Sequence, residues 1–379
     1  MSVVKSTTAT LSIDRDIIAA NWSALDGLSS ENCITSAVIK ADGYGLGMVP
    51  VSQRLYQAGC RCFFTARLEE AITLRTALNA IHASHAKIMV LDGLGTDQAA
   101  LFAEYDLIPV LNDLGQIETA KQAASQNKQA VPVCLHSDTA MARLGLSAKD
   151  RDQLLADQTA LNGLDISYLL SHLASSDDKQ SPQNQTQLAL FRSHLSQFSQ
   201  HISSPVKASL ANSGGIFLGS DYHFDMTRPG IALYGITADE ADQKTVRNCF
   251  SLSADILQIR EVPKGTSVGY GASFITLRPM RLATLGIGYA DGILRHYQPH
   301  LQPRIGGYAC PMVGRISMDS CVIDISDIPE GVLANQKAAI LFDDDFTPAD
   351  LAPKIDSIAY EIMTMLGERL ARHYDGAKT

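Results

Sequence analysis

The sequence predicts an α/β protein in which an N-terminal (β/α)8 barrel is followed by a mainly antiparallel β domain with a C-terminal helix. Two patterns predict this fold class. In the first two thirds of the 379 residues, eight short apolar runs alternate with segments whose apolar residues recur at helical spacing. After about residue 240, apolar and polar residues alternate with a period of two, and Gly- and Pro-bearing turns separate the segments.

The eight apolar runs have the length and character of strands that are buried on both faces of a parallel sheet. They occupy residues 34–40, 60–66, 87–93, 106–113, 131–138, 166–173, 207–213 and 223–230. Eight strand–helix units in roughly 230 residues match a closed, TIM-like barrel in number and in size. A doubly wound open sheet is the alternative that the number of strands does not exclude.

The barrel is predicted to occupy residues 1–240 and the β domain residues 241–379, with a polar linker near residues 236–246. A closing helix is predicted from about Thr347 to Tyr374, because Thr347 and Pro348 suit the first two positions of a helix. The apolar alternation at residues 9–14 predicts a strand with no helix before it. This strand is expected to join the sheet of the β domain.

Composition argues against several functional classes. The net charge of −9 argues against nucleic acid or an anionic membrane as the main partner. No apolar run reaches 18 residues, and the polar start of the chain is unlike a signal peptide. Seven scattered cysteines without a C-x-x-C pair are typical of reduced thiols in a cytoplasmic protein. No spacing of Cys and His predicts a metal site.

Chemistry in a barrel collects at the carboxyl ends of the strands. Basic or polar groups follow five of the eight runs, namely Lys40, His136 with Arg143, His172, Asn212–Gly215, and Arg228 with Gly230. A lysine at the end of a buried run is partly desolvated, which lowers its pKa and makes it a candidate Schiff-base nucleophile. A lysine that merely extends to solvent at the barrel mouth is the alternative.

The loops after the seventh and eighth strands are where barrels commonly bind phosphate, through backbone N–H groups at the start of a short helix. Residues 212–215 and 228–231 lie there. Such loops are also common without any ligand. A lysine nucleophile and a phosphate cradle at the same barrel mouth together indicate one cofactor, pyridoxal 5′-phosphate.

Nine motifs of the chain resemble those of the alanine racemases, pyridoxal-phosphate enzymes of fold type III. The motifs are AVIKADGYGLG, SDTAMARLGL, SHLASSDD, LANSGG, RPGIALYG, SVGYGASF, GIGYADGILR, VGRISMDS and AYEIMTML. The resemblance covers almost the whole chain, in the order of the family. It implies an isomerase that interconverts L- and D-alanine as a homodimer, either to supply D-alanine for peptidoglycan or to consume it.

The resemblance also implies roles for individual residues. Lys40 binds the cofactor and acts on one face of the substrate, while Tyr270 of the partner subunit acts on the other. Arg228 faces the pyridine nitrogen, and its guanidinium keeps its proton. The cofactor-binding residues implied are Lys40, Tyr44, His172, Asn212, Ser213, Arg228, Gly230, Ile231 and Tyr360. The substrate-binding residues implied are Arg143, Met318, Asp319 and Tyr289.

Two departures from the family pattern put rate and substrate preference in question. His136 stands where many relatives carry a carbamylated lysine that positions the substrate-binding arginine. Ser209 stands where relatives often have a histidine next to the pyridine arginine. Three other functions are weighed: a racemase of serine or another small amino acid, a decarboxylase of basic amino acids, and a non-catalytic pyridoxal-phosphate carrier. The decarboxylases place an acid at the pyridine nitrogen, so Arg228 argues against them.

Overall fold

The computed structural model describes residues 7–202 and 205–375. The chain divides into two compact units. The barrel unit comprises residues 17–43 and 47–247, and the β unit comprises the described residues of 1–16, 44–46 and 248–379. Among the helices in the described ranges, none is both long enough and apolar enough to cross a membrane.

The barrel unit is built on parallel strands. The first strand of the chain, β1 (Ala9–Asp14), belongs to the β unit. The strands of the barrel unit are β2 (Ile34–Thr35), β3 (Ala37–Val38), β4 (Cys62–Thr65), β5 (Lys87–Val90), β6 (Ile108–Leu111), β7 (Val131–His136), β8 (Leu164–Leu170), β9 (Lys207–Ser209) and β10 (Met226–Thr227). Strands β3 to β9 form one seven-stranded sheet in sequence order, and each strand is parallel to the next.

Hydrogen bonds of β10 close this sheet into a ring. On one side β10 pairs in parallel with β2, and the N–H of Ser36 donates to the carbonyl of Thr227 (3.0 Å). On the other side the N–H of Arg228 donates to the carbonyl of Ala211 (2.9 Å), just after β9. With β2 and β3 acting as one strand, the ring has eight strands. The predicted barrel is confirmed and the open sheet is excluded.

The helices of the barrel unit begin and end at residues that suit those positions. They are Arg15–Asp26, Met48–Ala58, Leu68–Asn79, Ala99–Glu104, Leu114–Asn127, Ala148–Ala156, Pro182–His201, Ser213–Phe217 and Glu240–Gln243. Asp113 caps one helix by accepting the N–H of Gln116 (2.8 Å), and Pro182 occupies the first turn of another. Gly59 ends a helix with a φ of 119°, which is a conformation that glycine adopts without strain.

The β unit is a mixed sheet with mainly antiparallel pairing. Its further strands are β11 (Phe250–Val262), β12 (Ser267–Val268), β13 (Phe274–Ile275), β14 (Met280–Leu285), β15 (Arg304–Ile305), β16 (Tyr308–Ala309), β17 (Cys321–Asp324), β18 (Ala338–Phe342) and β19 (Ala371–Asp375). Strand β1 lies between β11, to which it is antiparallel, and β19, to which it is parallel. Strand β11 also pairs with β14 and β18, so this strand of 13 residues is the centre of the sheet.

The predicted closing helix from Thr347 to Tyr374 is wrong. The segment contains two short helices, Pro348–Leu351 and Ala359–Thr364, and then strand β19. The capping prediction at its start is confirmed, since the Thr347 N–H donates to the carboxylate of Asp350 (2.7 Å) and Pro348 follows. The helix cannot continue because Pro353 has no N–H to donate and Asp356 has a left-handed φ of 53°.

Candidate active site

The backbone after β3 turns in an unusual way. All four residues 41–44 have positive φ values, between 51° and 63°, and only one of them is glycine. Each non-glycine residue in this conformation costs about 1–2 kcal/mol. Glu70 offsets the cost by accepting the first N–H of the turn (2.7 Å), and Asp42 Oδ1 accepts the N–H of Met48 (2.8 Å). The turn therefore fixes the position of the residue before it, Lys40.

Lys40 lies at the carboxyl end of β3 and is partly buried. Burial is the main cause that lowers the pKa of its amine, and the positive charge of Arg143 lowers it further. Within the described residues, its side chain forms no hydrogen bond or ion pair. More of this amine is neutral at a given pH than in an ordinary lysine, which is what a nucleophilic lysine requires.

Arg228 follows β10 and is buried without an acidic partner among the described residues. One nitrogen of its guanidinium donates to Ser209 Oγ, and the other donates to the carbonyls of Ser171 and Leu210. Ser209 accepts this bond while donating its own hydrogen to the carbonyl of Met226 (2.7 Å). Burial lowers the pKa of Arg228 to about 10, so the guanidinium remains charged at neutral pH.

His172 follows β8 in a loop that a buried glutamine supports. The amide nitrogen of Gln187 donates to the carbonyl of His172 (3.0 Å), and its oxygen accepts the N–H of Ala174 (2.8 Å). The pKa of His172 is well below its ordinary value, first because of burial and then because of the charges of Arg228 and Arg143. His172 is therefore a neutral group among cations.

Two loops after β9 and β10 meet at a serine hydroxyl. Ser213 Oγ accepts the N–H groups of Gly230 (2.9 Å) and Ala232 (3.3 Å). Asn212 begins the short helix Ser213–Phe217 by accepting the N–H of Gly215 (2.9 Å). Ile231 starts the following 3-10 turn. The hydrogen bonds of Ser213 therefore bring the start of the short helix next to the start of the 3-10 turn, and helix starts are places where phosphate binds.

Arg143 lies on the loop of residues 137–146 that follows β7, which we call the Arg143 loop. Its two ends are joined by a parallel bridge between Ser137 and Leu146. The carboxylate of Asp138 accepts the N–H groups of Met141 (2.9 Å) and Ala142 (3.2 Å). The guanidinium of Arg143 is exposed, and it has no hydrogen bond or ion pair within the described residues. The Arg143 loop therefore presents a guanidinium that is able to bind a carboxylate through two hydrogen bonds.

The β unit carries the other site residues. Tyr270 lies in a 3-10 turn between β12 and β13, and 73% of its surface is exposed. Tyr44 is buried, and its ring centroid lies 6.0 Å from that of Tyr360. Burial raises the pKa of Tyr44, with a further contribution from Tyr360, so its hydroxyl keeps its proton and is a hydrogen-bond donor.

A second cluster of the β unit contains Tyr289, Met318 and Asp319. The carbonyl of Met318 accepts the N–H of the residue after Tyr289 (3.0 Å), and no described residue accepts the N–H of Met318. Asp319 Oδ1 accepts a hydrogen bond from Arg369 (2.7 Å), and Arg369 also pairs with the buried Asp291 (2.9 Å). The cluster therefore leaves the N–H of Met318 without an acceptor among the described residues, while Asp319 and Asp291 are both paired with Arg369.

No cluster that could hold a metal ion occurs in residues 7–202 or 205–375. The seven cysteines are buried free thiols. The basic residues predicted to meet at the barrel mouth influence one another electrostatically. The cations Lys40, Arg143 and Arg228 act on one another or on the neighbouring neutral histidines, His136 and His172.

Comparison with protein families shows which family the chain belongs to. The family model "Alanine racemase, N-terminal domain" matches residues 13–238, and the model "Alanine racemase, C-terminal domain" matches residues 249–374. The chain belongs to the alanine racemase family.

Individual alanine racemases are similar over nearly the whole chain. That of Rickettsia akari (strain Hartford) is 41% identical over 366 residues, which cover 96% of this chain and 98% of the relative. That of Brucella canis is 40% identical over 377 residues, which cover 96% and 93%. The crystal structure of alanine racemase from Bartonella henselae with covalently bound pyridoxal phosphate has a TM-score of 0.89 and 36% identity, covering 97% of this chain and 99% of that one. The match to both alanine racemase domains excludes a carrier built on a lone barrel.

Sequence reasoning missed three residues that support the site of this alanine racemase. Glu70 holds the turn after Lys40, Gln187 holds the loop of His172, and Asn112 accepts a hydrogen bond from His136 (2.8 Å). Asn112 follows β6, so the rule of strand ends could have found it. Glu70 and Gln187 lie on helices, where their spacing resembles that of any solvated polar residue.

Buried histidines make the stability of this alanine racemase sensitive to acid. Burial lowers the pKa of His136 and of His194 to about 4, and that of His172 also falls. Below about pH 6.5 the unfolded chain binds protons that the folded chain does not, so the free energy of unfolding decreases as the pH falls towards 4. The loss is on the order of 3 kcal/mol for each of His136 and His194.

Urea unfolding between pH 7.5 and pH 5 measures the first part of this loss. We expect the midpoint to fall with pH, and to fall less in His194→Gln than in the unsubstituted protein. His85→Gln, which changes an exposed histidine, is the control and should keep the original dependence. A midpoint that does not change with pH would contradict the assignment of neutral buried histidines.

Proposed function

We propose that this chain interconverts L- and D-alanine with pyridoxal 5′-phosphate bound covalently to Lys40. The observation that carries the proposal is the state of Lys40 in a chain of the alanine racemase family. It is a partly buried amine with a lowered pKa, and no described carboxylate pairs with it. An amine in this state suits bonding to an aldehyde.

The residues of the barrel unit fit the chemical groups of this cofactor. Lys40 meets the need for an amine, the adjoining turn starts at Ser213 and at Gly230–Ile231 suit a phosphate, and the charged Arg228 suits a ring nitrogen. Tyr44, His172, Asn212 and Tyr360 complete the set that we assign to cofactor binding. When bound, pyridoxal phosphate supplies an electron-withdrawing ring that makes the α-proton of an attached amino acid acidic.

Arg228 controls how strongly that ring withdraws electrons. Because its guanidinium keeps its protons at neutral pH, it gives no proton to a ring nitrogen. The nitrogen stays unprotonated, and withdrawal is weaker than beside a carboxylic acid. Ser209 and the carbonyl of Ser171 hold the guanidinium in place. We infer that this arrangement favours return of the α-proton over side reactions.

Inversion at the α-carbon needs one group on each face of the substrate. We assign Lys40 to one face and Tyr270 of the partner subunit to the other. Each removes a proton in one direction of the reaction and returns one in the other direction. Two observations support a homodimer with shared active sites: Tyr270 is largely exposed, and Leu277, nearby in the chain, is 81% exposed. Exposed apolar side chains of this kind suit burial against a second copy.

The substrate carboxylate is assigned to Arg143 and to the N–H of Met318. The guanidinium offers a bidentate donor, and the N–H of Met318 has no acceptor within the described residues. Tyr289 is half-exposed beside Met318 in the β unit, and we assign it to the entrance of the site. Asp319 supports this region through its ion pair with Arg369.

We place the enzyme in the cytoplasm, as an alanine racemase that either supplies D-alanine for peptidoglycan or consumes it. The seven free thiols support this location, because a reducing compartment keeps thiols in that state.

Chiral chromatography of the products tests the proposal. The purified protein with pyridoxal phosphate should convert L-alanine to D-alanine faster than it converts L-serine, and it should sediment as a dimer of 40.8 kDa subunits. Conversion of serine but not alanine would show a racemase of another small amino acid. A bound cofactor with no racemisation of either amino acid would contradict the proposed function.

A further inference from the structure

We propose that Asn112 and His136 form a positioning pair for the Arg143 loop, and that this pair sets how the substrate carboxylate is bound. The inference rests on the proposed function only in assigning the carboxylate to Arg143. The pair lies at the ends of two neighbouring barrel strands, β6 and β7. Neither residue is among those that we assign to cofactor binding.

The hydrogen bonds of Asn112 fix the orientation and the tautomer of His136. The amide nitrogen of Asn112 donates to the carbonyls of Leu91 (3.0 Å) and Val110 (2.9 Å), so both of its hydrogens are used. Its Oδ1 is then the acceptor that faces His136 Nδ1 (2.8 Å), and Nδ1 must carry the proton. With Nδ1 protonated and the pKa lowered to about 4, His136 is a neutral imidazole at physiological pH.

The imidazole ring of His136 packs against the Arg143 loop. A Cβ atom on Gly145 would lie only 3.1 Å from Cγ of His136, so the ring covers the backbone two residues after Arg143. The carbonyl of His136 accepts the N–H of Leu146 (2.7 Å), and the N–H of Asp138 donates to the carbonyl of Leu146 (3.1 Å). His136 thus contacts the end of the Arg143 loop with both its ring, at Gly145, and its backbone, at Leu146.

The tip of the Arg143 loop is strained, and it is held by a contact other than His136. Ala140 and Ala142 have left-handed φ values of 71° and 56°, and the amide of Gln183 donates to the carbonyl of Ala140 (3.0 Å). The guanidinium of Arg143 has no partner within residues 7–202 or 205–375. Its position is therefore set by the Arg143 loop and not by an ion pair, so we expect a change in the anchor at His136 to move it.

The charges around His136 suit a neutral ring at this position. Its charged neighbours include Arg228 and Arg143, which disfavour another cation beside them. The third is Asp138, whose carboxylate accepts backbone hydrogen bonds of the Arg143 loop. Because Nδ1 carries the proton, Nε2 keeps a lone pair, and the ring adds no positive charge beside the two arginines. An imidazolium would instead repel Arg143, and the acceptor would be lost.

Two variants remove the contacts of the pair, and the rate of trypsin cleavage reports how firmly the Arg143 loop is held. Asn112→Leu leaves His136 Nδ1 without an acceptor, and His136→Phe keeps a ring on Gly145 but loses the donor. We expect both variants to raise KM for L-alanine by about tenfold with a smaller change in kcat. We also expect trypsin to cleave the bond after Arg143 about tenfold faster in the folded holoenzyme.

Nitrogen-15 NMR of histidine-labelled protein adds a direct readout. The signal that disappears in His136→Phe identifies His136, and its shifts should be those of the Nδ1-protonated tautomer. Asn248→Leu is the control, because Asn248 also donates to a backbone carbonyl (2.8 Å) but lies in the β unit. It should leave the cleavage rate, KM and the His136 signal unchanged.

Unchanged cleavage and unchanged KM in both variants would overturn the proposal, and so would the Nε2-protonated tautomer in the unsubstituted protein. If Asn112→Leu fails to fold, His136→Phe decides alone. Arg143→Lys separates this inference from the proposed function. If Arg143→Lys leaves KM for alanine unchanged while Asn112→Leu accelerates cleavage, the positioning pair stands and the assignment of the carboxylate to Arg143 fails.

Discussion

Replacing Lys40 with alanine is expected to abolish racemisation and covalent attachment of the cofactor together. The variant loses the only amine that we assign to the aldehyde and also one of the two proton-transferring groups. The rate should therefore fall by at least about 10⁴-fold. Borohydride reduction followed by mass spectrometry measures attachment directly, because it makes the bond to lysine permanent. In the unsubstituted protein, the added mass should lie on the peptide that contains Lys40.

Lys87→Ala provides the control, since Lys87 is an exposed lysine at the start of β5. Both the added mass and the activity should survive in this variant. An added mass on another lysine in Lys40→Ala, with an unchanged absorption spectrum of the cofactor, would refute the role of Lys40. The strained turn over residues 41–44 would then need another explanation.

Tyr270→Phe is expected to stop racemisation while leaving the cofactor attached. The phenyl ring preserves the shape of the side chain but has no hydroxyl, so only the face served by Lys40 can exchange protons. Loss of one general acid–base group typically lowers a rate by about 10²–10⁴-fold. Racemisation is measured by chiral chromatography and attachment by absorbance. Exchange of the α-proton with heavy water should persist for one enantiomer of alanine.

Tyr308→Phe is the matched control, because Tyr308 is a half-exposed tyrosine of the same unit. It should racemise alanine at the original rate. Full activity in Tyr270→Phe would remove Tyr270 from the mechanism. Loss of proton exchange for both enantiomers would instead indicate that the substitution disturbs the whole site.

Much of the barrel could be predicted because its strands are continuous apolar runs that local composition reveals. The runs that contain β3 and β10 were predicted correctly, although the paired part of each is only two residues long. The end of the chain was not predicted correctly. Apolar residues in segment 347–374 have helical spacing, but β19 forms because it pairs with β1, more than 350 residues away in sequence. Such a partner leaves no local signal.

The residues of the candidate site were likewise predictable only in part. Lys40, His172 and Arg228 could be found because strand ends meet at one mouth of a barrel. Tyr270 and Met318 came from resemblance alone, since they lie in short turns of the β unit with no periodic pattern. The strain of the turn after Lys40 has a sequence signal only at Gly43, because its other residues are not glycine.

The two departures from the family pattern acquire physical explanations in the structure. Ser209 replaces a ring with a hydroxyl that both accepts from Arg228 and donates to the backbone. His136 takes a neutral form that Asn112 fixes. Ser209 is an uncharged hydrogen-bond partner of Arg228, and we propose that the neutral His136 acts on Arg143 through the loop that carries it. Neither requires a negative charge at the barrel mouth.

The central claim is that two different groups serve the two faces of alanine, and the isotope content of newly formed D-alanine tests it most directly. L-Alanine that carries protium at the α-carbon is converted in heavy water, and the D-alanine formed early in the reaction is isolated and weighed by mass spectrometry. Exchangeable hydrogens of Lys40 and Tyr270 are deuterium in this solvent. The account predicts deuterium at the α-carbon of essentially every D-alanine molecule, because the group that returns the hydrogen is not the group that removed it. Protium retained in a substantial share of the D-alanine would mean that one group serves both faces, and would contradict the account.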